Sequence, residues 1–403
     1  MINSKKLILV INALWAIPLV VIIRLIRPVI HVKIINLFSD RIAHFVADSI
    51  QHYIRLKDMP RNVRHVYWFD KKRLSNLQWA KMVKRNLPVM NYFKYIDFWN
   101  KKIPGGKIHV LDSSIWPRDV TGLYEKKKSN FSFLKKEHTN ALNWLKSFGW
   151  KEKEPFVCLL VRDQGYLQSS AILSPDDMDD TTNKKGWGYH NYRNSDISEY
   201  ELSIQWLVER GVRVIRMGKN MIKPLSINHE LVIDHPFLEE TNDLLDIWLC
   251  AHCNLCVSTG TGIDYVSDVF RKPILFINFL PLIDFISWSN AMHVPKKLLW
   301  ADSGKELSLR ENINNSWQRA EHYSDHNIKI QDLNKDEILV SIRECWEDLE
   351  NGLNYTKRDL ALQRKYWKIL KSEPNFNKQH GWIHPSARAG RNWLRSRQEE
   401  FFT

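Results

Sequence analysis

Cations and small polar residues gather directly after short apolar runs from residue 156 onward. Arg162 and Asp163 follow one such run, Arg216, Gly218 and Lys219 follow a second, and Ser258-Thr-Gly-Thr-Gly262 closes a third. A glycine-rich turn that opens a helix offers backbone N–H groups and the positive end of the helix dipole, which suits a phosphate. An arginine fork matches phosphate oxygens two at a time. Thr259, Gly260, Thr261 and Gly262 are therefore candidates to hold a phosphate or diphosphate together with Arg162, Arg216 and Lys219. The segment Tyr189-His-Asn-Tyr-Arg-Asn-Ser-Asp-Ile197 adds His190, Arg193, Asn194 and Asp196. A loop that only connects has no need of such density. Asn194, Ser195 or Asp196 is expected to cap the following helix, which leaves His190 and Arg193 unexplained. Deprotonating a hydroxyl calls for a carboxylate or an imidazole, so Asp163, His190 and Asp196 are the candidate catalytic bases, Asp163 slightly ahead.

Other signatures are weaker or missing. Neither G-x-x-x-x-G-K-[ST] nor a G-x-G-x-x-G after a strand occurs, which argues against P-loop nucleotidases and nicotinamide dehydrogenases. Asp177 and Asp179 have the D-x-D spacing that chelates a divalent ion in some sugar transferases, but no strand runs directly into them and a solvated acidic loop is expected. Cys250, Cys253 and Cys256 form C-x2-C-x2-C, yet a helix-to-strand transition divides them, so the three thiols are not expected to share a face. No metal site and no organic cofactor is expected.

The elements that would position these residues alternate. Residues 156–161 read as a strand buried on both faces, followed by a long polar connection, a helix at 195–210 stopped by Gly211, and a strand at 212–216. A short strand at 231–234, a helix at 242–252, a strand at 255–258, a helix at 262–270 and a strand at 273–278 complete a doubly wound α/β pattern, whose site belongs at the carboxyl ends of its strands. Strands at 63–69 and 107–111 suggest a smaller α/β domain ahead of it, and residues 337–351 and 355–371 read as late helices. The tail from 374 onward has no assignment. The expected division is 1–56 as a membrane-associated helical segment, 57–152 as a small acceptor-side α/β domain, 153–350 as the donor-binding Rossmann-like domain, and 351–403 as helices and basic tail.

With 403 residues, 44% hydrophobic and 26% charged, the chain is long enough for two or three domains and too ordinary in composition for long disorder or many membrane spans. Its +14 net charge is uneven. Residues 1–150 carry 27 basic and 9 acidic side chains, a balance of +18, so the remainder is slightly negative. Residues 7–23 are apolar apart from Asn12, at the lower limit for crossing a bilayer, with Lys5, Lys6, Arg24, Arg27 and Lys33 flanking them and no signal-cleavage site after them. Residues 29–54 suit an amphipathic helix at a membrane or protein face. Cations around such segments favour the cytoplasmic face of an inner membrane. Nucleic acid is not the expected partner, since no zinc-finger, RNP-type or helix-turn-helix signature accompanies the charge.

The chain resembles a family of bacterial glycosyltransferases found in surface-polysaccharide clusters. The resemblance rests on Val161-Arg-Asp163, the 189–197 segment, Gly211 through Arg216-Met-Gly-Lys219, Asp246-Ile through the 258–262 loop, and Lys272-Pro273, with Arg27-Pro28 and Arg41-Ile-x-His44 at the front. More distantly, the order of arginine after a strand and glycine loop is similar to the donor domain of GT-B fucosyltransferases and heptosyltransferases. This implies two Rossmann-like doubly wound domains facing a cleft, the second binding a nucleotide-diphosphate sugar as co-substrate. The implied activity is metal-independent hexosyl or deoxyhexosyl transfer to a membrane-associated glycan or lipid-linked acceptor. A short front domain and the unassigned tail depart from the full GT-B outline, so no acceptor residue is carried over. The rival from another class is a non-catalytic, membrane-docked scaffold of a polysaccharide assembly complex that keeps a degenerate nucleotide-sugar site.

Overall fold

The computed structural model describes residues 13–111, 118–127, 131–165, 187–315 and 317–403. Asp177 and Asp179 lie outside them. The chain divides into two compact units, the first comprising Met1–Pro117 and Leu123–Phe133, the second Arg118–Gly122 and Leu134–Thr403.

Unit 1 is built on two parallel strands, β1 (His31–Asn36) and β2 (Val63–Trp68), in the register His31↔Val63. Parallel bridges extend this pair on each side, Ile34 to Val110 and Tyr67 to Val89. The helices Ile42–Leu56, Leu77–Asn86 and Phe93–Lys102 make the crossovers that parallel neighbours require. The amphipathic helix expected over 29–54 is corrected here: residues 31–36 are strand, and the helix begins at Ile42. The physical reason is tertiary. The β-branched Val32, Ile34 and Ile35 are at most 9% exposed once β1 pairs with β2, and the helix buries Phe45, Val46 and Ile50 within unit 1 rather than presenting them to a bilayer.

Unit 2 holds a seven-stranded, fully parallel sheet. Its strands are β3 (Phe156–Leu160), β4 (Arg213–Arg216), β5 (Val232–Asp234), β6 (Leu255–Ser258), β7 (Ile274–Phe279), β8 (Ala291–Pro295) and a late edge strand (Arg388–Ala389), in the order edge strand–β8–β7–β6–β3–β4–β5. Every residue of β3, β4, β6, β7 and β8 is buried, as helices on both faces of a parallel sheet demand. The chain runs outward from β3 through β4 to β5 and then returns to place β6 on the other side of β3. The topological switch point therefore lies between β3 and β6, which is where an open α/β sheet binds its ligand. The helix Lys135–Ser147, ahead of the expected 152/153 boundary, belongs to this unit: His138 accepts from Trp248 Nε1 at 3.0 Å on the helix Asp243–His252. The tail that carried no assignment is folded onto the sheet. Its edge strand pairs in parallel with β8, and Arg388 and Arg391 are ion-paired to Asp348 while Arg395 is paired to Asp359. The chain is thus α/β in both units, each built on parallel strands.

Candidate functional site

The switch point brings together residues that are far apart in sequence. Leu160 of β3 lies opposite Ser258 of β6, so the chain segments leaving these strands run side by side. Arg162 N donates to Thr259 Oγ1 at 3.0 Å, Thr259 N to the Leu160 carbonyl at 3.0 Å, and Ser195 N to the Arg162 carbonyl at 2.9 Å. Arg193 then reaches across, its Nη2 donating to the Gly260 carbonyl at 2.9 Å. Gly260 has φ +80°, and a Cβ there would meet the Phe279 ring at 3.0 Å and Arg193 Nη2 at 3.1 Å. Only glycine accepts this backbone and this approach without strain. Arg162, Arg193, Asn194, Thr259, Gly260 and Thr261 thus sit in one constellation.

The loop does not present the free amides expected of it. Ser258 Oγ donates to Asp264 Oδ2 at 2.6 Å and accepts from Gly260 N at 3.0 Å, while Thr261 N donates to Asp264 Oδ2 at 2.9 Å. The Gly262 amide also bonds this carboxyl, which is 1% exposed and pushed above the usual carboxylate range by desolvation. A buried side chain on the helix Asp264–Val269 therefore takes up the donors a phosphate would use. What remains directed at a ligand is side chain rather than backbone. Arg193 Nε and Thr261 Oγ1 are buried with no hydrogen-bond partner among the described residues, as is Asn194 Oδ1. Burying a guanidinium N–H and a hydroxyl without partners costs free energy that a bound anion would recover.

The other cations are committed elsewhere. The Arg216 side chain is 1% exposed, donates to the Lys223 carbonyl at 2.6 Å, and lies 3.4 Å from Asp234 and 3.9 Å from Asp163. Lys219 is paired with Asp243 at 2.6 Å and Asp246 at 3.2 Å. Both were expected to meet phosphate, and both instead neutralise carboxylates at the β4 end. The candidate bases separate in the same way. Asp163 accepts from the amides of Gly165 at 2.8 Å and Ile222 at 2.9 Å, so it anchors two loops. Asp196 caps the turn Ile197–Tyr200 by accepting from Ser198 N at 2.9 Å. That bond, with help from Lys223, holds its carboxyl below the usual range, which makes it a weaker base. His190 lies half-buried on the 3-10 helix Trp187–Arg193, its ring 6.2 Å from that of Tyr192.

Beside this constellation, at the carboxyl ends of β3 and β4, is a cavity of about 350 Å³ lined by Val161, Asp163, Asn194, Asp196, Arg216 and Asp332 among others. Its size falls in the range of small-molecule sites, roughly 300–1,000 Å³. Its charges alternate in sign, so it suits a neutral polar group better than a phosphate. Two residues that position the site escaped sequence reasoning. Lys296, 2% exposed, donates to the Asn194 carbonyl at 2.5 Å and to Asp332 at 2.6 Å, and so fixes the turn that carries Arg193. It obeys the same cation-after-strand pattern, following β8, but Ala291-Met-His-Val-Pro295 does not read as an apolar run. Asn278, buried at a bulge of β7 with φ +51°, donates to Ser195 Oγ at 2.9 Å and accepts from Leu333 N. The cysteines Cys158, Cys250, Cys253, Cys256 and Cys345 are free and buried. Among the described residues no group of three or more His, Cys, Asp or Glu side chains is placed to hold a metal ion.

No protein-family model and no curated protein matches the sequence. Among solved structures, the chain is 12% identical to the Escherichia coli ADP-heptose lps heptosyltransferase II, with 73% of this chain and 97% of that one covered at a TM-score of 0.35. It is 10% identical to the family 9 glycosyl transferase from Veillonella parvula, covering 66% and 86% at a TM-score of 0.39. It is also 10% identical to E. coli heptosyltransferase WaaC with ADP, covering 65% and 90% at 0.30. At these values the functional reading rests on the chain's own residues.

Proposed function

We propose that the protein is a glycosyltransferase that moves a sugar from a nucleotide-diphosphate sugar to a membrane-associated glycan or lipid-linked acceptor in the building of a bacterial surface polysaccharide. The carrying observation is Arg193, tied to the Gly260 carbonyl at the β3/β6 switch point, with its Nε and the Thr261 hydroxyl both buried and without a hydrogen-bond partner among the described residues. The diphosphate would lie on Arg193, Arg162 and Thr261, where positive charge stabilises the leaving group as the glycosidic bond breaks, the task a metal ion performs in other enzymes. The adjacent cavity of about 350 Å³, largely apolar in surface and lined by charges of both signs, would take a neutral part of the donor. Unit 2 is the donor unit in this reading and unit 1 the acceptor side. Its setting is the cytoplasmic face of the inner membrane, and the hexosyl or deoxyhexosyl character of the transferred sugar follows the family resemblance. Nucleoside diphosphates and nucleotide sugars should raise the melting temperature of the native protein, because a ligand of the folded state stabilises it. The R193A variant should show no such rise. If no nucleotide shifts the native protein, the proposal fails.

One observation favours the rival scaffold. The loop amides are satisfied by Ser258 and Asp264, and Arg216 and Lys219 by carboxylates, as a degenerate nucleotide-sugar site would have them. Acceptor-dependent release of nucleoside diphosphate separates the two readings, since a scaffold binds but does not turn over.

A further inference from the structure

The helix Ala16–Leu25 is fastened along one side to unit 1. Ala16 and Val20 are buried with Val32, Ile34, Phe93 and Ile96, and Trp99 Nε1 donates to the Ala13 carbonyl at 2.8 Å. Arg24 donates to the carbonyls of Asn100, Ile103 and Pro104. The chain then enters β1 at His31, one of the two strands on which the unit is built. Ten helical residues rise about 15 Å, half the roughly 30 Å of a bilayer's hydrocarbon. To cross, the helix would have to be stripped from the core of its own unit.

The opposite side of the same helix is open. Val21 and Ile22 are exposed, Leu25 is 72% exposed and Val29 74% exposed, with Ile26 and Ile30 beside them. Eight of the nineteen exposed large apolar side chains among the described residues fall within 14–30, which makes this a patch rather than scatter. No acidic residue precedes Asp40, whereas Arg24, Arg27 and Lys33 lie in or beside the segment. The helix Phe93–Lys102, against which it packs, adds Lys94 and Lys102, while its one carboxylate, Asp97, is buried and already paired with Lys101 at 2.8 Å. Trp15 and Tyr92, both about half exposed with ring centroids 6.4 Å apart, supply aromatics of the kind that settle at headgroup level. An apolar ridge with an aromatic edge and unopposed cations complements an anionic lipid surface. It does not complement itself, because a two-fold dimer would set the same cations against one another.

We infer that residues 21–30 form a docking ridge that lies in the plane of an anionic bilayer, with Val21, Ile22, Leu25, Ile26 and Val29 set among the headgroups and acyl ends. This inference is independent of the sugar-transfer reading. In flotation assays the full chain should rise with vesicles of phosphatidylcholine mixed with phosphatidylglycerol, and about ten-fold less with phosphatidylcholine alone or at high salt. The L25S/V29S variant, altered only at exposed positions, should lose about ten-fold of that binding with an unchanged melting curve. An alkaline carbonate wash should release the native protein. Equal flotation of L25S/V29S and native protein would overturn the inference, as would resistance to carbonate, which marks a crossing helix. It would also be overturned if removing residues 2–12 abolished flotation while L25S/V29S still floated, or if the native chain were a dimer that L25S/V29S converts to a monomer without any vesicle binding.

Discussion

Two arginines brought to the carboxyl edge of the same sheet meet opposite surroundings. At the β3/β6 switch point Arg193 is held by a carbonyl and makes no ion pair among the described residues, whereas at the β4 end Arg216 is enclosed by Asp234, Asp163 and the Lys223 carbonyl, although the Nε of each is buried without a hydrogen-bond partner among those residues. A cation at the carboxyl edge of an α/β sheet is therefore near the ligand position, but that place does not decide whether the cation is available. Availability is decided by which carboxylates the later chain delivers. Asp234 reaches Arg216 because β5 pairs with β4 in the register Arg216↔Asp234, whereas among the described residues Arg193 meets no carboxylate at ion-pair distance and feels the buried Asp264 carboxyl only through space.

The comparison is tested most severely by removing each arginine. R193A, and likewise R162A, should lower transfer by about 10²–10³-fold, the loss seen when one preorganised donor to a developing charge is deleted. Their apo stability should change by no more than about 1 kcal/mol, measured by denaturant unfolding. R216A should do the reverse and destabilise by about 3 kcal/mol, because Asp234 and Asp163 are left without their buried counter-charge. Transfer by the folded fraction of R216A should persist. If instead R216A remains stable and loses transfer, while R193A is active, the two strand ends have been assigned the wrong way round.

A carboxylate that is truly buried, Asp268, has no cation paired with it among the described residues. Asp268 is 8% exposed, accepts from Trp288 Nε1 at 3.2 Å, and is pushed up to about 7 by desolvation, with Asp119 adding to the rise. Its folded value lies above its ordinary 3.8, so the native state holds a proton that the unfolded chain gives up. Stability from this group is fully present below about pH 4 and is lost as pH rises through about 7. The D268N variant should flatten that decline and be more stable than the native protein at pH 8, read as the urea midpoint across pH. A native profile with no fall between those values would remove the distinction between paired and unpaired carboxylates.

How much of this was legible in the sequence follows from how local each cause is. β3 and β6 could be read because a strand covered on both faces is a continuous apolar run, and the meeting of Arg162 with the 258–262 loop at one edge followed from the βα alternation, whereas Arg193 stood out only by the density of polar residues in the 189–197 segment. The occupation of the loop amides could not, since Asp264 looks like any first-turn acid of a helix until its carboxyl folds back on Thr261 N. The edge strand Arg388–Ala389 was equally hidden. Two residues carry no periodicity, and only pairing with β8 and the Gln363 side chain bonding to Ala389 define it. In unit 1, β1 was misread as helix because residues 29–54 are apolar at intervals that serve either period until the neighbouring strand is known.

The smallest expected effect concerns Asp196, which sequence reasoning placed among the candidate bases. The carboxylate caps the turn Ile197–Tyr200 and pairs with Lys223 at 3.0 Å, both side chains being about half exposed. An exposed pair of this kind contributes little, so the cap should dominate. D196A should cost about 1 kcal/mol of stability, and D196N less, because asparagine caps nearly as well. Neither should slow transfer more than about two-fold, since a carboxylate held below its usual range by the Ser198 amide is a poor proton acceptor at neutral pH. A large loss of turnover in D196N with unchanged stability and unchanged nucleotide binding would make Asp196 the base after all. It would also move the reacting centre from the arginines of the switch point into the neighbouring cavity.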